Sequence, residues 1–110
     1  MKRFDVYLVE LDPTRGSEIR KTRPCLIVSP DAMNRHLSTL IVAPMTTTKR
    51  GYFSRIALRF AKKVGEIALD QLRTVDKSRL VRRLGAVGDA HARKVADRLM
   101  EMFALGDGAA

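Results

Sequence analysis

Cysteine, tryptophan and histidine are scarce in these 110 residues: one Cys, no Trp, two His. The lone thiol of Cys25 permits no internal disulfide. Inside the apolar run 25–28 it is expected to pack, and it fits a reducing compartment. His36 and His91 lie far apart, with no cysteine or carboxylate cluster at ligand spacing, so no metal site is expected. A ribonuclease built on two histidines would need them together in space, and His91 falls at the start of the last helix. No glycine-rich loop follows a strand, which leaves phosphate-cradling nucleotide sites unsupported; no cofactor is expected. Long apolar runs are missing too. The N-terminus "MKRFDVYLVELDP" alternates, so it reads neither as a signal peptide nor as a membrane span, and the cytoplasm is the expected location.

Negative charge is the other deficit. Lys and Arg number 21 against 12 Asp and Glu, for a net charge of +9. In a chain this small that excess favours an anionic partner: RNA, DNA or an acidic protein segment. Aromatic side chains for stacking are few, and only Tyr52 and Phe53 sit beside a basic turn.

The apolar pattern predicts five or six short strands and one terminal helix. Residues 4–11 alternate, with Phe4, Val6 and Leu8 on one face and Tyr7, Val9 and Leu11 on the other. Both faces are apolar, so this strand is expected to be central. A long loop follows from Asp12-Pro13 through Thr22, then a strand over 24–29. Asp31 is placed to cap a helical turn over 32–36. Residues 39–46 read as the next strand, and Pro44 marks an edge or a bulge in it. Strands over 53–60 and 65–72 follow, then a helical turn over 74–80 capped at Asp76, and a short strand over 83–87. From Asp89, its expected N-cap, to Leu105, apolar residues Ala92, Val95, Ala96, Leu99, Met102 and Phe103 recur at helical spacing. The expectation is a mainly β domain over 1–105: a small antiparallel barrel or curled sheet with a helix packed alongside, then a fraying tail at 106–110.

Basic residues cluster in two segments. Arg15, Arg20, Lys21 and Arg23 share one loop, while Lys49, Arg50 and Arg55 lie in or beside another. Basic loops on a small barrel can serve as a surface for a nucleic-acid backbone or form a solvated charge halo, and composition leaves both readings open. Arg23 precedes Pro24, which restricts it to an extended backbone at the mouth of an apolar strand.

Three blocks, "DVYLVELDPTRGSEIRKTRPCLIVSPDAMNRH", "IVAPMTT" and "LDQLRTVDKSRL", occur in this order across most of the chain. Together they resemble the MazF/PemK (Kid) family of toxin endoribonucleases from type II toxin–antitoxin systems. The resemblance implies an SH3-like barrel related to the gyrase poison CcdB, a homodimer, metal-independent cleavage of single-stranded RNA, and neutralisation by a cognate antitoxin. It implies Arg23, Thr46 and Glu18 as catalytic residues, with Asp70, Gln71 and Arg73 as the polar block nearby. Arg15, Ser17, Arg20, Lys21, Asn34, Thr47, Lys49 and Arg50 complete the expected RNA-binding set. Asn34 and Gln71 can read base edges, but either can equally bond local backbone. Glu18 is open between orienting Arg23 and accepting the 2′-proton. One branch of the family carries His where this chain has Ser17, and Arg where it has Ala68, so that branch's mechanism does not transfer whole. Two other readings remain: a non-enzymatic gyrase poison, and an RNA-binding barrel without catalysis. Segment 41–45 and the last helix are the expected dimer contacts, and an acidic antitoxin segment is expected to occupy the basic groove.

Overall fold

A computed structural model describes residues 1–106, and all but the first residue of the tail expected to fray at 106–110 lies outside them. The strands are β1 (Asp5–Glu10), β2 (Thr22–Ile27), β3 (Thr39–Thr46), β4 (Arg55–Phe60), β5 (Lys63–Ala68), β6 (Arg73–Asp76) and β7 (Leu80–Ala86). A short helix α1 (Asp31–His36) precedes β3, and α2 (Asp89–Phe103) follows β7. The sheet path runs β4-β5-β3-β2-β1-β7, antiparallel throughout, with β6 also on β3. It curls into a half-barrel: the ring of Phe60 on the β4 edge lies so close to β7 that a Cβ at Gly85 would meet it at 3.4 Å. The mainly β architecture with a terminal helix is the one the apolar pattern predicts.

Apolar residues on both faces of β1 place it centrally, between β2 and β7. One face of the sheet carries Val6, Leu26, Ala43, Met45 and Ile67, closed by Val95, Leu99 and Met102 of α2. The other carries Val9, Leu11, Cys25, Ile27, Leu40 and Val42. Phe103, expected on the buried stripe, is 70 % exposed. Val42, Ala43 and Pro44 are buried within the chain, which removes most of segment 41–45 as a contact surface.

Several boundaries differ from the sequence expectation, each for a physical reason. β2 begins at Thr22 because Thr22 and Arg23 pair with Glu10 and Val9, so Arg23 lies inside the strand and not at its mouth. The expected strand 65–72 is broken. β5 and β6 are successive stretches along one edge of β3, pairing through Met45↔Ile67 and Val42↔Arg73. Only Ala43 and Pro44 intervene on β3, against 68–72 on the other side, so the chain bulges into a 3₁₀ turn at Leu69–Gln71. Pro44 faces that bulge, where a missing N–H costs no ladder bond. The expected helical turn over 74–80 splits: Thr74 and Val75 pair with Ile41 and Leu40, and only Lys77–Arg79 is helical, capped by Asp76 as expected. At the helices, Pro30 and Gly88 occupy the N-cap positions. Asp31 instead accepts a bond from the Arg3 N–H (2.7 Å), and Asp89 sits in the first turn, where it favours the helix dipole.

Candidate active site

The register of β2 on β3 explains how two distant residues meet. Ile27, Leu26 and Cys25 pair with Val42, Ala43 and Pro44; two steps further the same register sets Arg23 opposite Thr46. Both side chains then lie on one face, since alternate residues of a strand share a face. They form a ridge between two cavities. One, of about 540 Å³, is polar and is lined by Ser17, Glu18, Arg20, Thr48, Arg50, Tyr52, Arg55, Asp70 and Gln71 besides the ridge. The other, about 350 Å³, is walled by Pro24, Met45, Thr47, Leu58, Phe60, Val64 and Leu84.

Arg23 is oriented and unneutralised. Its Nε donates to the Arg20 carbonyl at 2.8 Å, and among the described residues no carboxylate pairs with it. Arg23 lines both cavities, and its two Nη groups have no hydrogen-bond partner among the described residues, leaving a planar fork of the kind that grips two oxygens of a phosphate. Thr46 Oγ1 accepts from the Thr48 N–H at 3.1 Å, so its own O–H is free to donate. Close packing fixes the β3–β5 approach here: a Cβ at Gly65 would sit 2.2 Å from the Thr46 carbonyl oxygen, so only glycine fits beside it.

Behind the polar cavity lies a charge network. Glu66 is 5 % exposed and accepts from the backbone N–H of Arg50 (2.9 Å), the N–H of Gly51 (3.0 Å) and Arg55 (3.3 Å). Arg55 also forks onto both oxygens of Asp70, which accepts a further bond from Ser54. Burial pushes the Glu66 and Asp70 carboxyls up, but these donors outweigh it and both titrate below their ordinary range. Both stay ionised at neutral pH. Burial pushes the Cys25 thiol up to about 12 despite the nearby Arg73 and Arg23 charges, so it is a packed thiol and not a nucleophile.

The family pattern described as "PemK-like, MazF-like toxin of type II toxin-antitoxin system" matches residues 2–103. The chain belongs to this family. It is 40% identical over 108 residues to Endoribonuclease PemK of Escherichia coli, covering 90% of this chain and 79% of that one. Endoribonuclease MazF of Staphylococcus saprophyticus is 36% identical over 101 residues, covering 86% and 84%. A solved mycobacterial endoribonuclease, in complex with its cognate antitoxin, superposes with a TM-score of 0.81 at 28% identity, covering 96% and 97%.

Within this family member, the structure gathers Ser17, Glu18, Arg20, Arg23, Thr46, Arg50, Asp70 and Gln71 around the polar cavity and Thr47 on the second one. Others stand elsewhere. Asn34 is 3 % exposed and its amide is consumed by Ser29, accepting from Oγ (2.5 Å) and donating to the carbonyl (2.9 Å), so it is a structural residue and not a base reader. Arg73 lies on the β6 face near Cys25, its Nη1 buried without a partner, and lines neither cavity. Arg15, Lys21 and Lys49 are exposed beyond the cavity walls. Gln71 accepts from the Ile19 N–H (2.8 Å) and donates to the Ser17 carbonyl (3.3 Å), which makes it a clamp on the first basic loop. Glu18 accepts from the Arg15 N–H (2.7 Å) and does not orient Arg23; that task falls to Arg20. Glu66 escaped the sequence reading, as did Thr48 and Tyr52 as wall residues. Its signal was a single carboxylate inside the apolar stretch "GEIAL", since a buried acid needs a partner.

Proposed function

We propose that this toxin is a sequence-selective endoribonuclease that cleaves single-stranded RNA through the RNA's own 2′-hydroxyl. The observation that carries it is the unneutralised Arg23 fork opposite the free Thr46 hydroxyl on one ridge. The 2′-oxygen attacks the adjacent phosphorus and loses its proton, a phosphorane forms, and the 5′-oxygen leaves, taking up a proton. The products carry 2′,3′-cyclic phosphate and 5′-hydroxyl ends. Because the nucleophile belongs to the substrate, the reaction needs alignment, charge stabilisation and proton transfer but no metal-activated water. Arg23 holds the non-bridging oxygens, and Thr46 donates to one of them. Of the two carboxylates in the cavity, Asp70 has both oxygens tied by Arg55, whereas Glu18 spends only Oε1. Glu18 is therefore the better acceptor for the 2′-proton. Arg20 and Arg50 add charge for the flanking phosphates. The protein acts in the cytoplasm as a homodimer, and an acidic segment of its antitoxin covers the basic mouth.

Incubation with a long unstructured RNA in excess chelator, followed by typing of the fragment ends, tests the reaction. A substrate with one deoxynucleotide immediately 5′ of the cut phosphate should resist; cleavage there would sink the mechanism. Arg23→Lys keeps the charge but loses the fork, and should lower turnover roughly 10²–10³-fold. Thr46→Val should behave similarly but more mildly. Turnover within about threefold of wild type for Arg23→Lys would overturn the site. Intact RNA together with inhibited gyrase would identify a gyrase poison instead.

A further inference from the structure

Tyr52 and Phe53 are adjacent, 53 % and 58 % exposed, on the turn that leaves the polar cavity. The two adjacent rings form one exposed aromatic surface, and each is backed in the same way. The Arg55 guanidinium lies 5.2 Å from the Tyr52 ring centroid, and that of Arg98 lies 4.4 Å from Phe53. One face of each ring is thus backed by a cation, while each residue as a whole is more than half exposed.

The turn itself is rigid. Glu66 holds the N–H groups of Arg50 and Gly51, the Arg55 N–H bonds the Tyr52 carbonyl (3.0 Å), and the Leu69 N–H bonds that of Ser54 (2.9 Å). Arg98 of α2 donates to the Phe53 carbonyl, tying the turn to the helix. Arg55 is held in turn by Asp70 and Glu66, so its charge is spent on the network and on the ring, not on a phosphate.

We propose that Tyr52 and Phe53 are a stacking platform for nucleobases of single-stranded RNA beyond the cleaved bond. The proposal rests on the endoribonuclease reading. Continuity argues for it: Tyr52 lines the same cavity as Arg23 and Thr46, so a strand whose phosphate sits on the ridge continues onto the rings. Charge argues for it as well, since Arg20 and Arg50 line the approach and the chain carries a net +9. Stacking on a π-face is tolerant of base identity, so the platform adds affinity and sets the length of strand engaged.

The test uses the full-length protein and an RNA containing the mapped cut site, made uncleavable by one 2′-deoxynucleotide and carrying 2-aminopurine at one position at a time. Fluorescence should be quenched at one or two consecutive positions on one side of the cut. Tyr52→Leu should abolish that quenching and weaken binding about tenfold, whereas Tyr52→Phe, which keeps the ring, should stay within about twofold. Phe53→Leu should remove the quenching at the more distant position. RNA cut normally by wild type but with quenching unchanged in both leucine variants would overturn the platform and leave the endoribonuclease reading standing. Failure of wild type to bind or cut any RNA would overturn both. A dimer that dissociates in Phe53→Leu, or an acidic peptide that alone loses affinity, would assign the surface to a protein partner and overturn the proposal.

Discussion

The loops 11–21 and 47–54 both contribute walls to one cavity and both carry an excess of basic residues, but the structure holds them by different means. The second wall is fixed by a carboxylate that is 5 % exposed: Glu66 takes two backbone N–H groups and shares Arg55 with Asp70. The first is held by Gln71 on Ile19 and Ser17, and by Asp12 Oδ1 on the Lys21 N–H (3.1 Å). Its acceptors and donors are mostly in contact with water. A network centred on a buried carboxylate is expensive to break, whereas exposed bonds exchange with solvent at little cost. The difference separates a rigid wall, which carries Arg50 and the paired aromatics, from an adaptable one, which carries Glu18 and Arg20.

The largest expected effect comes from breaking the rigid wall. Glu66→Gln removes the charge that Arg50, Gly51 and Arg55 share, and should cost about 3 kcal/mol of stability in urea unfolding. The amides of Arg50 and Gly51 should lose their exchange protection first. If instead the Ile19 amide becomes the faster in this variant, the two walls are held the other way round.

Acid should act on the same wall. Glu66 and Asp70 ordinarily titrate at 4.5 and 3.8, and both are lowered in the fold. Their contribution is complete above those ordinary values and drains away as the pH falls through the lower, folded ones. Stability should therefore be insensitive to these two groups between about pH 8 and pH 5, then fall in stronger acid. Combined Glu66→Gln and Asp70→Asn substitution should flatten that acid slope; an unchanged slope would remove the network as its source.

Gly65→Ala sharpens the comparison at the ridge between the walls. The new Cβ would overlap the Thr46 carbonyl, at a cost of about 2 kcal/mol. Turnover should fall about tenfold while binding of uncleavable RNA changes little, because Thr46 and not the charge is displaced. Equal losses in turnover and binding would point to a general distortion.

The smallest effect belongs to the adaptable wall. Gln71→Ala should cost about 1 kcal/mol or less and raise the exchange rate of the Ile19 amide, with the Arg50 and Gly51 amides unaffected. A loss as large as that of Glu66→Gln would erase the distinction between the walls.

Much of this was legible in residue order. Alternation over Phe4–Leu11 carries its own argument for a central strand, because a strand apolar on both faces must be covered on both. Thr39–Thr46 is a strand to the residue, and the proline within it marks the bulge. Arg23 and Thr46 were named as candidates from the family resemblance, and residue order alone offered only the arginine–proline step for the first. The failures that bear on the site share one cause. Residues 65–72 form a continuous β-like pattern, but local pattern cannot register that β3 offers only two residues to oppose five. That mismatch throws Asp70 and Gln71 into the cavity, where pairing with Arg55 and the first loop decides their roles. Asn34 and Glu66 exchanged places in the same way: a polar residue reads as available until the fold supplies a partner.

Composition and period, being local, determined the chain's own excess of positive charge, the β class and most of the apolar faces. Only tertiary structure could decide which charges remain free. Arg55, Asp70 and Glu66 neutralise one another, while among the described residues Arg23 has no carboxylate partner opposite Thr46. Charge is a property of a residue, but its availability depends on distances to groups far along the chain, and those distances exist only once β2, β3, β4 and β5 have found their register.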